Sequence, residues 1–330
     1  MNAIDWSPVR RVINEQSSFL VTSHVNPEGD AIGSEVALAG FLRERGKSVR
    51  IVNPSPTPEN CRFLDPKGEI VLFDADRAGE LLAGIEAIFI VDLSSWPQLG
   101  PFADTVRRFQ SIRVCIDHHR APDAEIARIS VIDETAAAAG LLVYELIRDT
   151  GAPISLPIAE ALYAALLVDT GSFRFSNTDA RALRAAAELV GLGVRPERAY
   201  RDAFENRRGA FVRLLPLAFA ALGSTSGGKI LWVSVTRRML EEARADFEDT
   251  DGYIELLRAV RGVEVCALFK EVEEGRVRVS LRSTGKVELH RFAASFGGGG
   301  HAKAAGLTVE GSLEEAVRSV TAGLEALVSG

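Results

Sequence analysis

The chain has 330 residues, 47% of them hydrophobic, and a formal net charge of -7. That length and apolar content suit two packed domains and exclude a largely disordered protein. The acidic balance argues against gripping long duplex nucleic acid through a broad basic face, although bound metal ions can supply positive charge locally for a short substrate.

Residues 18–23 (SFLVTS), 48–53 (SVRIVN), 87–93 (AIFIVDL) and 112–117 (IRVCID) are short runs rich in Val and Ile, and they read as buried strands. Ile32, Val36, Ala39 and Leu42 recur at helical spacing after the first strand, and residues 136–147 do so after the fourth. Such alternation predicts a parallel sheet covered by helices on both faces, with ligands bound beyond the carboxyl ends of the strands. Residues 154–169 and 179–193 read as helices, the second stopping at Gly193. Residues 196–222 read as mostly helical, with breaks near Gly209 and Pro216, before the GSTSGG composition shift at 223–228. A strand at 229–236, a hairpin over 264–283, a glycine cluster at 297–300, a further short strand and an amphipathic helix complete the chain. The expected organisation is a parallel α/β domain over 1–188, a helical connector over 189–223 and a smaller α+β domain over 224–330.

Cys61, Cys115 and Cys266 are widely spaced and offer neither a CxxC pair nor a disulfide framework, so they read as buried apolar thiols in a reducing compartment. The first residues hold no apolar core of signal-peptide length, and no stretch reaches the ~18 apolar residues of a membrane span. A cytoplasmic protein with no membrane partner is the expectation.

The residues that follow the predicted strands carry the chemistry. His24, Glu28 and Asp30 follow the first, Asp92 ends the third, Asp117-His118-His119 ends the fourth, and Asp169 ends the helix over 154–169. A single Asp or His in such a place is ordinarily a cap, a turn or a packed residue. Only five histidines occur in the chain, however, and three of them stand at strand ends beside carboxylates. That joint pattern points to a metal centre. Carboxylate oxygens with imidazole nitrogens suit Mn²⁺, with Mg²⁺, Fe²⁺ or Co²⁺ as substitutes. In the last third, consecutive glycines allow backbone N–H groups to approach an anion, and Arg282, His301 and Lys303 add donors and charge around Gly299 and Gly300.

These segments resemble the signature motifs of the DHH phosphoesterase superfamily, whose name is spelled by Asp117-His118-His119. Residues 297–306 (GGGGHAKAAG) are similar to the GGGHxxAAG motif of the DHHA1 domain, and Ser280-Leu281-Arg282-Ser283 fits that domain's strand. The resemblance covers nearly the whole chain. Within the superfamily it is nearest to the short bacterial oligoribonucleases that also hydrolyse 3′-phosphoadenosine 5′-phosphate (pAp), whose run after the last acidic ligand looks like residues 173–178 (FRFSNT) here.

The resemblance implies two Mn²⁺ ions bridged by Asp92, with His24 and Glu28 on the first and Asp30, His118 and Asp169 on the second. It implies that Asp117 orients His118 and that His119 touches the scissile phosphate, with Arg282, Gly299, Gly300, His301 and Lys303 contacting substrate in a cleft between the domains. It implies cleavage of single-stranded RNA about two to five residues long, and of pAp to AMP, by two-metal hydroxide attack. Long duplexes are not expected as partners, and the oligomeric state is left open, a homodimer included. Position 28 departs from the family's usual Asp; Glu28 keeps a hard oxygen ligand but moves it by roughly one bond length, about 1.5 Å. Residues 120–123 (RAPD) also depart, since relatives often carry an Asn there. The alternatives are a soluble cyclic- or linear-dinucleotide phosphodiesterase, a pyrophosphatase or exopolyphosphatase, and a non-catalytic nucleotide-binding protein.

Overall fold

The computed structural model describes residues 4–119, 123, 125–300 and 302–329. The chain divides into two compact units, Met1–Asn206 and Arg207–Gly330. The expected boundaries at 188 and 223 bracket that division.

In the first unit, β1 (Ser18–Thr22), β2 (Ser48–Asn53), β3 (Ile70–Leu72), β4 (Ala87–Val91), β5 (Ile112–Asp117) and β6 (Ile129–Ile132) form one sheet in the order β3-β2-β1-β4-β5-β6. Every neighbouring pair is parallel. Among the described residues eight α-helices accompany it: α1 (Ser7–Glu15), α2 (Gly29–Glu44), α3 (Ala78–Leu82), α4 (Ala103–Arg108), α5 (Ala139–Asp149), α6 (Leu156–Asp169), α7 (Ala180–Gly191) and α8 (Pro196–Tyr200). Alternate residues of the strands go to opposite faces. Phe19, Val21, Phe89, Val91, Val114 and Ile116 pack with residues of α2, α5, α6 and α7, while Leu20, Ile88, Ile90 and Cys115 pack with Leu99, Phe102 and Val106. A one-residue slip of β1 or β4 would exchange these two buried sets, so the register is pinned and the residues after each strand are placed with it. Strand order reverses between β1 and β4, the place where ligands of such sheets bind.

Glycines bring α2 and α6 close together. A Cβ on Gly33 would lie 2.5 Å from the Ala161 carbonyl oxygen, and one on Gly29 would lie 2.6 Å from a methyl of Val168. The approach carries Asp30, in the first turn of α2, towards Asp169, at the end of α6.

The second unit holds a mixed sheet in the order β11-β12-β10-β9-β8-β7, built from β7 (Gly223–Thr225), β8 (Ile230–Val235), β9 (Val265–Glu273), β10 (Arg276–Ser283), β11 (Gly299–Gly300) and β12 (Ala304–Glu310). β8 and β9 pair in parallel, and the other neighbouring pairs are antiparallel. Its helices are α9 (Gly209–Phe219), α10 (Arg237–Ala243), α11 (Tyr253–Arg258), α12 (Leu289–Ser295) and α13 (Leu313–Ser329). Residues of α12 and α13 cover the face that carries Val277, Val279 and Leu281. Residues of α9, α10 and α11 cover β8 and β9 on the other face, over Leu231, Val233, Cys266 and Leu268. The chain is thus α/β, a parallel-sheet unit followed by a smaller α+β unit.

Three details differ from expectation. Helix α9 runs through Pro216 instead of breaking there; the proline lacks an N–H for the carbonyl of Val212, but Val212 is exposed and water can satisfy it. The 223–228 stretch is strand β7 and a 3₁₀ turn, where a Cβ on Gly223 would sit 2.0 Å from the Trp232 ring. The edge strand β3 and the terminal strands β6, β7 and β11 have four residues or fewer, too short to show a period in the sequence. All three cysteines are buried. Among the described residues no helix is long and apolar enough to cross a membrane.

Candidate metal centre

Several segments deliver polar side chains to the carboxyl edge of the parallel sheet. His24 follows β1, Asp92 follows β4, Asp117, His118 and His119 end β5, Asp30 opens α2, and Asp169 closes α6. The Nε2 atom of His118 lies 3.4 Å from Oδ1 of Asp92, 3.7 Å from Oδ2 of Asp30 and 4.0 Å from Oδ2 of Asp169. His24 reaches the other oxygen of Asp92 with its Nε2 at 3.5 Å. Donor atoms of Asp30, His118 and Asp169 lie within 4.8 Å of one another, as do those of Asp92, Asp117, His118 and His119. Most of these separations are long for hydrogen bonds and right for donors that share an ion placed between them.

The surroundings fix each donor. His24 and His118 turn Nδ1 to the backbone carbonyls of Val25 (2.8 Å) and Ala136 (3.1 Å). An Nδ1–H that donates there leaves the Nε2 lone pair directed at the carboxylates, the tautomer a metal ligand needs. Asp30 accepts the N–H groups of Ala139 (2.7 Å) and Gly140 (2.9 Å) at the start of α5, and the Ser34 hydroxyl (3.1 Å). Asn177 donates to Oδ2 of Asp169 at 3.3 Å and to the carbonyls of Asp169 and Ala137 at 3.0 Å. Asp92 has φ of 59°, a left-handed conformation that a non-glycine residue seldom adopts and that functional sites often hold.

Asp117 contacts both histidines that follow it. Its Oδ1 accepts the ring Nδ1–H of His119 at 2.7 Å and the backbone N–H of His118 at 2.8 Å. It therefore orients the ring of His119, whereas the ring of His118 is held by the Ala136 carbonyl.

Without a metal ion, protons on the imidazoles balance the charge of this cluster. Asp92 is buried, and its Oδ1 accepts no hydrogen bond among the described residues. Burial raises the carboxyls of Asp30 and Asp169, the latter to about 6, and the neighbouring Asp92 adds to both. Burial would lower the imidazoles, but the contacts to Asp92 outweigh it and lift His24 to about 9 and His118 to about 11. Burial opposes ionisation of Asp92 too, yet the histidines hold it far below the usual carboxylate range. Protons on the imidazoles thus compensate the carboxylates, and a divalent ion among the same atoms would displace them. The donor set fits such an ion.

Glu28 is less engaged. It caps α2 on the exposed side with no side-chain cap bond, and it lies outside both donor groups, although its charge is felt by His24 and Asp169. In the second unit, Arg282 is half-buried, 3.6 Å from Glu255, and donates to the Leu281 carbonyl at 3.1 Å. Lys303 bonds the carbonyls of Gly285 and Val287, which ties down the loop before α12. Gly299 and Gly300 form β11. A Cβ on Gly300 would lie 2.5 Å from the Ala304 carbonyl, whereas Gly299 faces open space, so close strand pairing accounts for only some of these glycines. His301 lies outside the described residues, as do Arg120, Ala121 and Pro122.

Several supporting residues escape a reading of strand ends. Glu35 is wholly buried in α2, accepts the Asn53 amide at 2.8 Å, and is raised to about 8, chiefly by burial. Asn53 in turn accepts the backbone N–H of Ser23, next to His24, at 3.3 Å. A carboxylate between the apolar positions Ile32 and Leu38 was the available signal for Glu35. Nothing local marks Ala139 and Gly140, whose contribution is backbone N–H.

A doubly wound parallel sheet with a carboxylate–imidazole cluster at its switch point is the arrangement of a divalent-metal centre. The "DHH family, N-terminal domain" matches residues 18–166, and the "DHHA1 domain" matches residues 227–329. A bifunctional oligoribonuclease and PAP phosphatase NrnA of Thermus thermophilus is 34% identical over 320 residues, 96% of this chain and 93% of that protein. A Streptococcus agalactiae protein named "probable manganese-dependent inorganic pyrophosphatase" is 27% identical over 183 residues, 53% of this chain and 56% of that one. A solved structure of an exopolyphosphatase-related protein from Bacteroides fragilis superposes with a TM-score of 0.91 at 26% identity, covering 97% of this chain and 95% of that one. The chain belongs to the DHH/DHHA1 phosphoesterase family.

Proposed function

We propose that this chain is a metal-dependent hydrolase of very short single-stranded oligoribonucleotides that also removes the 3′-phosphate of pAp. The observation that carries the metal-dependent chemistry is the convergence of Asp30, Asp92, Asp169 and His118 on one point, with a buried Asp92 oxygen that accepts no hydrogen bond among the described residues. The substrate class rests on the similarity to the Thermus thermophilus enzyme, which extends through both units. The likeness to a pyrophosphatase covers only about half of this chain.

In this reading His24 and Glu28 would hold one Mn²⁺, Asp30, His118 and Asp169 would hold the other, and Asp92 would serve both. Mg²⁺ or Co²⁺ would suit the same donors. When bound, the two ions supply Lewis acidity at the phosphate and an activated water. Asp117 fixes the ring of His119 and favours its protonated form, although burial opposes that form. A protonated His119 can then donate to a nonbridging oxygen or to the leaving group. Arg282 offers a fork for a substrate phosphate, and the Gly299 and Gly300 backbone lies on β11, on the far side of β12. His301 and Lys303 belong to the same proposed clamp, Lys303 through the loop that it anchors.

The test is incubation with Mn²⁺ and pApA, an RNA pentamer, pAp, cyclic di-AMP or pyrophosphate. Turnover of pApA, the pentamer and pAp is expected. Failure on all phosphodiesters would end the proposal, and preference for cyclic di-AMP would move it to the dinucleotide class. Full activity in Asp92→Ala would rule out a bridged pair of ions.

A further inference from the structure

Strand β10 alternates Val277, Val279 and Leu281 into the core with Arg276, Arg278, Ser280 and Arg282 on the opposite face. On that opposite face α9, α10 and α11 pack over β8 and β9, whereas Arg278, Gly306 and Thr308, on β10 and β12, are exposed. Arg278 stands directly across from Lys270 in the antiparallel register of β10 with β9, so the two side chains project together. Arg282 lies four residues further along the same strand and face, about 13 Å away.

Two like charges opposite one another destabilise a sheet unless something offsets them. Neither Lys270 nor Arg278 has an ion pair or a side-chain hydrogen bond among the described residues. Burial, together with the guanidinium groups of Arg278 and Arg282, holds Lys270 below its ordinary pKa, against the pull of Asp251. An anion on the pair would relieve that repulsion. Arg282, by contrast, already has Glu255 at 3.6 Å.

We propose that Lys270 and Arg278 form a subsite for an internal backbone phosphate of the oligonucleotide, separate from the phosphate assigned to Arg282. The subsite rests on the reading of the second unit as the substrate clamp. Its ligand is a phosphodiester of single-stranded nucleic acid. The separation from Arg282 is one that a strand of several nucleotides bridges and a single nucleoside bisphosphate does not. The subsite therefore sorts substrates by length.

The experiment compares kcat/KM for pentaadenylate and for pAp, with Mn²⁺ and the full chain, in wild type, Lys270→Gln/Arg278→Gln and Arg282→Gln. In the double variant the pentaadenylate-to-pAp ratio is expected to fall roughly tenfold. The dependence of log KM for pentaadenylate on log salt should flatten by about 0.7 for each phosphate that the variant no longer neutralises. Arg278→Gln alone, at an exposed strand position that tolerates the change, should move the ratio in the same direction. An unchanged ratio overturns the subsite, whether both activities persist or both fall together. Arg282→Gln with wild-type kcat/KM on both substrates would instead overturn the clamp, so the two failures are distinguishable.

Discussion

The backbone N–H of Gly140 donates to Oδ1 of Asp30 across 2.9 Å, joining the first turn of α5 to the first turn of α2. The positive end of the α5 dipole thereby faces a buried carboxylate proposed to hold metal. A side chain at 140 would disturb this, because its Cβ would lie 2.4 Å from Cβ of Ala165 and 3.3 Å from Asp30 Oδ1. Gly140→Ala is expected to cost about 1–3 kcal/mol of stability through overpacking. It should also weaken Mn²⁺ binding roughly tenfold by moving Asp30. Thermal melts of the metal-free protein and calorimetric titration with Mn²⁺ measure the two effects. Wild-type affinity in this variant would show that α5 does not position Asp30.

Glu35 gives the metal-free protein a specific pH dependence. Its folded pKa, about 8, lies above its ordinary value of 4.5, chiefly because it is buried. A group raised in this way contributes its full stability below about 4.5, where both states are protonated. That contribution is lost as pH rises towards 8, because the unfolded chain releases the proton and the folded one must keep it. Glu35→Gln preserves the shape and removes the titration. The variant should match wild type near pH 4.5 and exceed it by up to a few kcal/mol near pH 8, since a tenfold change in proton affinity is worth about 1.4 kcal/mol. Urea unfolding of both proteins in EDTA across this range tests it. A constant difference would mean that Glu35 is ionised in the fold.

How far the sequence shows this arrangement depends on how local each signal is. Four of the six strands of the parallel sheet stand out because burial on both faces demands unbroken runs such as AIFIV, and their ends place His24, Asp92 and the Asp117–His119 run. The short strands β3 and β6 have no such run. The bond from His119 to Asp117 depends on side-chain rotamers and is invisible in the order of residues. The link from Glu35 through Asn53 to Ser23 joins α2, β2 and the end of β1, and only the packed fold brings the three together.

Asn177 is a positioning residue for Asp169. One amide nitrogen bonds the Asp169 carboxylate, the Asp169 carbonyl and the Ala137 carbonyl, so it ties the end of α6 to the segment before α5. Asn177→Ala should lower apparent Mn²⁺ affinity by ~10–100-fold, as loss of a partner behind a metal ligand does. Saturating Mn²⁺ should restore most of kcat, because no reacting group is removed. Activity that stays low at every Mn²⁺ concentration would place Asn177 in the chemistry itself.

Glu28 is the weakest proposed ligand, and its position makes the metal stoichiometry the quantity to measure. It sits at the exposed cap of α2, outside the donor group of Asp30, His118 and Asp169 and that of Asp92, Asp117, His118 and His119, while its charge reaches both His24 and Asp169. In the proposed arrangement Asp92 and His24 would hold the rest of the first ion's shell, so a longer arm at 28 should change affinity more than position. Calorimetry should find two Mn²⁺ per chain, one bound more weakly. Glu28→Gln should weaken the weaker ion at least roughly tenfold by removing a charged oxygen and leave the tighter one unchanged. Glu28→Asp shortens the arm by about 1.5 Å and should shift the same constant alone. One ion per chain in wild type, or a Glu28→Gln variant that loses both ions equally, would remove Glu28 from the centre and leave Asp92 serving a single metal.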